Sequence, residues 1–178
     1  MGKRIAIILW RVFAAALILV LATIVYFSSL DPSVRGWWFR HEMLSALDDA
    51  SSVQVVEHSS HFDSITERNN PNYKDVIYAT VTLKPDQIES LRKALPLTLD
   101  YSGTRMKMCM FEEHHYIAIT RRDGSVLTLH ICFRCGQIKL GSHYGDMPEG
   151  WAASLNGFVT SLGLHPNGPW DTNPDAPK

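Results

Sequence analysis

The sequence predicts an α+β protein. An N-terminal transmembrane helix is followed by a small antiparallel four-stranded sheet with helices on one face, in the order α-β-β-α-β-β-α. Three observations carry this expectation. The first 27 residues are overwhelmingly apolar. Two pairs of β-rich segments are each followed by a segment of helical period. The connections are short, which favours antiparallel neighbours in one sheet.

The opening "MGKRIAIILWRVFAAALILVLATIVYF" carries Lys3, Arg4 and Arg11 at one end, and residues 12–27 then run uncharged. A bilayer core needs roughly 20 apolar residues in a helix, with a range of about 17–25. Residues 5–27 reach that length if Arg11 snorkels to the headgroups. The basic flank predicts a cytoplasmic N-terminus and a single-pass membrane protein with its C-terminal domain extracytoplasmic. A cleaved signal peptide is the rival reading, with Val20-Leu21-Ala22 as the cutting region.

Residues 1–28 are thus expected as anchor or signal peptide, 29–36 as linker, 37–165 as the domain and 166–178 as a disordered tail. Trp37 and Trp38 follow the linker, where one marks a membrane interface or caps the core. Phe39, Met43, Leu44 and Leu47 then recur at helical spacing. "SVQVVEHS" reads as a strand, and "SHFDSITERNNPNYKD" as a solvated loop punctuated by Asn-Pro-Asn. That loop crowds Ser59, Ser60, His61 and Asp63 together, but neighbours in a loop seldom supply triad geometry.

"VIYATVTL" is a second strand. In "KPDQIESLRKALP", Pro85 suits a first turn, Asp86 and Glu89 suit the positive helix end, and Arg92 and Lys93 the negative end. Ile88, Leu91 and Leu95 should face the sheet. Residues 107–120 and 125–140 are expected as a long hairpin about Asp123-Gly124. A last helix should start at a capping box of Asp146 and Glu149 and bury Trp151, Leu155, Phe158 and Leu162.

"HICFRCGQI" carries the chemistry. Two-residue looping at Asp123-Gly124 pairs Arg122 with Ser125 and sets His115 opposite Cys132. His115, His130 and Cys132 then share one face. Cys132 and Cys135 have zinc-knuckle spacing, with Gly136 permitting the bend. A metal site would draw on Cys109, His114, His115, His130, Cys132 and Cys135, with Glu112 and Glu113 as possible oxygen donors, and zinc is the ion such donors suit. A Cys132–Cys135 disulfide with Cys109 left over, ordinary buried thiols, and a weaker thioredoxin-like pair are the other readings. His58 and His143 have no spacing that implicates them.

"CMFEEHHYIAI…GSVLTLHICFRCGQIKL" resembles the core of an uncharacterised family of bacterial secreted or membrane-anchored proteins with a Cys…His…Cys-Phe-x-Cys hairpin. Cys109, His114, Cys132, Phe133 and Cys135 match its pattern, and Glu112-Glu113 depart from the Pro-Arg that members carry. The resemblance implies a helix-strand start and a closing helix, and no activity.

The net charge of −1 gives no case for nucleic acid. No convergent nucleophile or acid–base motif commits the chain to catalysis. The expected function is a tethered binding or envelope-interaction module, meeting the membrane through residues 5–27 and a protein partner through its domain. A zinc or thiol-disulfide protein built on Cys132 and Cys135 is the alternative.

Overall fold

Alternation decides which residues of this chain meet. Val53 and Val55, Ile117 and Ile119, Leu129 and Ile131, and Ile138 and Leu140 each lie two apart, so each pair presents to one face of a strand. In the computed structural model, which describes residues 2–30, 32–60, 62–63, 74–97, 110–148 and 150–168, all eight are buried in one core.

The elements are α1 (Gly2–Leu30), α2 (Pro32–Asp48), β1 (Ala50–His58), β2 (Ile77–Thr82), α3 (Pro85–Lys93), β3 (His115–Arg121), β4 (Val126–Cys132), β5 (Gln137–Leu140), β6 (His143–Asp146) and α4 (Trp151–Ser161). The strands form one antiparallel sheet in the order β2-β1-β3-β4-β5-β6. Phe39 and Met43 of α2, Leu91 of α3, and Trp151, Leu155 and Val159 of α4 close over the core face. Two bonds lock the helical layer: Arg40 Nε donates to Leu95 O at 2.8 Å, and Trp151 Nε1 to Pro96 O at 3.0 Å. The other sheet face, here the outer face, carries Gln54, Val56, Tyr116, Thr128, His130 and Lys139.

Six strands replace the four expected. Residues 125–140 are not continuous, because the chain turns over residues 133–136 with Gly136 at φ 63° and starts β5. A second turn, Gly141-Ser142 with Gly141 at φ 57°, starts β6, and Leu140 pairs with His143 across it. Glycine reaches that left-handed region without a Cβ clash. Asp146 sits in β6 rather than capping α4, whose N-cap is Gly150.

Among the described residues no helix is long and apolar enough to cross a membrane. The single-pass anchor is therefore corrected, together with the extracytoplasmic placement that followed from it. The linker expected over residues 29–36 is also corrected, since α1 runs to Leu30 and α2 begins at Pro32, a residue suited to a first helical turn. Trp38 packs against the core and against His143 (ring centroids 4.3 Å apart), whereas Trp37 is exposed and stacks on His41. Residues 169–178 of the expected tail lie outside the described residues.

Candidate functional site

The β3–β4 turn sets the site. Arg121, not Arg122, pairs with Ser125: its N–H donates to Ser125 O at 2.8 Å. The loop is three residues, 122–124, with Gly124 at φ 84°, the usual left-handed closing position of such a loop. A one-residue slip exchanges the faces. His115 therefore lies opposite Ile131, on the core face, and Tyr116 lies opposite His130 on the outer face. The expected grouping of His115 with His130 and Cys132 is thus split by the sheet.

The cysteines occupy the β4–β5 turn. Cys132 ends β4 and pairs with Gln137, and the Cys135 N–H reaches Cys132 Sγ at 3.3 Å. The bend expected at Gly136 is present, yet the pair is not bonded to itself. Cys132 is a free, buried thiol. Burial pushes its pKa up, against hydrogen bonds from nearby backbone amides. Cys135 is disulfide-bonded, and Cys109 lies outside the described residues. A Cys132–Cys135 disulfide, or a redox couple made of those two, is therefore corrected.

Among the described residues no three His, Cys, Asp or Glu side chains could hold a metal ion, so the zinc expectation is corrected too. The candidate donors are occupied or separated. Cys135 is bonded, His115 faces the core, and His114 and His130 each contact a carboxylate.

What the fold assembles instead is a set of carboxylate–imidazole contacts where β1 ends and β3 begins. His114 Nε2 lies 2.6 Å from Asp63 Oδ1, both side chains nearly buried. Asp63 Oδ2 accepts the Ser60 N–H at 2.7 Å. Ser59 Oγ accepts the Val76 N–H at 2.7 Å, so this serine closes a loop rather than standing as a nucleophile. Ser59, Ser60 and Asp63 are thus buried, not the solvated loop expected, while His61 lies outside the described residues.

On the core face Glu57 and His115 are direct cross-strand partners. His115 Nε2 is 4.0 Å from Glu57 Oε2, and the His165 N–H donates to that same oxygen at 3.0 Å. Glu57 thereby ties the chain leaving α4 to β1. Burial holds the His115 pKa down at about 3, and the imidazoles of His114, His58 and His165 act in the same direction. A neutral imidazole at this position is what burial requires.

On the outer face His130 Nδ1 lies 2.8 Å from Glu113 Oε2. Burial works against ionised Glu113, but the close contact and charge of His130, with His58 and Lys139 behind it, outweigh burial and hold the carboxyl below its usual range. His58 Nδ1 meets Ser59 O at 2.8 Å and Asp75 Oδ2 at 3.8 Å, and its ring lies against Tyr116.

Glu57, Asp63 and Asp75 had no role in the sequence reading, and neither did His58 or His165. One signal was present: Glu57-His58 and Glu113-His114-His115 end and begin strands that could pair, so acid and imidazole would meet in some register. No family model matches the chain, and no curated protein or solved structure matches it. Chemically, the paired groups fix imidazole tautomers and hold charge in place.

Proposed function

We propose that this chain is a non-catalytic interaction module that associates with a second copy of itself through α1. The observation that carries this reading is the exposure of α1. Trp10 is 69% exposed, Ile18 67%, Leu19 70% and Val25 66%, and Val12, Phe13, Leu17, Val20, Leu21 and Ile24 are at least about half exposed. Contiguous apolar surface of this size marks an interaction site. Its main neighbour is α2, which leaves most of its circumference open.

A second copy supplies an identical apolar helix. Residues 12–25 carry no charge to oppose such pairing, and Ala15 and Ala22, two turns apart, let two backbones approach closely. Covering the patch recovers roughly 25 cal/mol per Å² of apolar area. The Cys/His segment then serves a structural role in the body that α1 carries. Its resemblance to the uncharacterised family remains part of this proposal.

Sedimentation of the intact chain tests the reading. Wild type should associate at micromolar concentration. The double variant Leu17→Asp, Ile18→Asp should sediment as a monomer with the thermal unfolding of the sheet domain unchanged. A wild type that stays monomeric, or a variant that associates equally well, would contradict it.

A further inference from the structure

We propose that a cleft along α2 binds a small aromatic carboxylate. This site is independent of α1. The cleft has a volume of about 260 Å³ and is lined by Trp37, Arg40, His41, Leu44, Ser45 and Asp48. Steps of three and four residues put these six on one stripe of the helix. The stripe turns away from Phe39, Met43, Ala46 and Leu47, which are buried in the core. Trp37, His41, Ser45 and Asp48 are exposed, and Arg40 and Leu44 are half-buried, so the cleft is open to solvent.

Charge names the ligand. Arg92, Arg121, Arg122 and Arg134 each meet a carboxylate, at 2.8, 3.0, 3.7 and 3.4 Å. Among the described residues Arg40 meets none. Its hydrogen bond runs from Nε to Leu95 O at 2.8 Å. That bond fixes the plane of the guanidinium and uses its side nitrogen. The terminal nitrogens Nη1 and Nη2 are left as a parallel pair of donors, the geometry that the two oxygens of a carboxylate match. Asp48 is the acid in the lining, and it is held by Arg92 of α3. It lies eight positions beyond Arg40, about 12 Å along the helix axis at the usual rise per residue. At that distance solvent and salt screen it, so it neither neutralises Arg40 nor repels an anion bound there.

The apolar lining supplies the rest of the assignment. Trp37 is 49% exposed, and its ring stacks on His41 with centroids 5.1 Å apart and planes at 30°. The two rings, with Leu44, present a flat surface one turn from the guanidinium. A ring carried by the acid lies against that surface while its carboxylate reaches Arg40. Volume limits the size. Sites for drug-sized ligands run to roughly 300–1,000 Å³, so a cleft just under that range suits an acid of one ring.

The test is a titration of the intact chain with benzoate, followed through the ¹⁵N resonances of the Trp37 indole and the His41 imidazole, with benzamide and inorganic phosphate in parallel. Saturable shifts at both residues, absent at Trp10 of α1, are expected, with a Kd in the millimolar range. Benzamide keeps the ring and lacks the charge, and should bind about tenfold more weakly, the loss of one charge-assisted hydrogen bond. Arg40→Gln should weaken benzoate binding by a similar factor. If Arg40→Gln does not fold, because the tie to Leu95 is lost, Trp37→Ala at an exposed position should still weaken binding severalfold with thermal unfolding unchanged. Benzoate shifts that do not saturate, or that appear equally at Trp10, would overturn the proposal and leave only unspecific apolar association. Benzamide binding as tightly as benzoate would remove the role given to Arg40, and tighter binding of phosphate would overturn the aromatic carboxylate.

Discussion

His115 illustrates how one residue couples the fold to pH. Its pKa is 6.5 in an exposed chain and about 3 in the folded one. Above pH 6.5 both states hold it neutral, and its full contribution is present. As pH falls from 6.5 towards 3, the unfolded chain takes up a proton that the folded chain refuses, and stability is lost. The limiting loss for one such site is on the order of 5 kcal/mol. Urea denaturation at stepped pH should show this decline, and His115→Leu should flatten it. An unchanged slope in the variant would assign the acid sensitivity to other groups. Cys132 gives a second residue-level expectation. Under non-reducing conditions its thiol should resist a polar thiol reagent in the native state, and denaturation should release one reactive thiol per chain. Three reactive thiols, one for each cysteine of the chain, would contradict the bonded state of Cys135. At this scale the sequence was least legible. Asp63 reads as a loop residue until the fold brings it to His114, 51 positions away. Glu57 reads only as part of a strand until the chain leaving α4 brings the His165 N–H to its carboxylate, 108 positions away.

The elements themselves were more legible, because alternation and capping are local. Leu91 and Leu95 are buried where helical spacing puts them, and Lys84 N donates to Gln87 Oε1 at 2.9 Å at the start of α3. The failures were turns. Asp123-Gly124 signals a hairpin, but a two-residue and a three-residue loop contain the same dipeptide, and only the observed Arg121–Ser125 pairing separates them. That single residue moved His115 into the core. Likewise Cys132 and Cys135 looked like a functional pair across a bend at Gly136; the bend is present, but Cys132 remains a free thiol. A methyl group added at Gly124 would meet nothing within 4 Å, so Gly124→Ala should cost only the strain of φ 84°, about 1 kcal/mol. Thermal unfolding will show it, and a neutral result would mean that the loop can relax. In contrast, Leu155→Ala removes a fully buried side chain from α4 and should cost about 2–5 kcal/mol in denaturant unfolding.

At the scale of the whole molecule, two surfaces differ in kind. The sheet domain buries its apolar face under α2, α3 and α4, and its outer face is polar enough to meet water. Helix α1 has no such cover. Hydropathy alone made α1 legible as an apolar rod, but a sequence does not say what surrounds one. Length, the position of Arg11 and the neighbouring element all bear on that. Pairing with a second copy is the central claim, and it makes α1 the nearest neighbour of another α1. A photo-crosslinking residue placed at Ile18 of the intact chain tests it most directly. Irradiation should give a discrete covalent dimer, lost on adding Leu17→Asp. Adducts to lipid alone, or none at all, would contradict self-association through this helix.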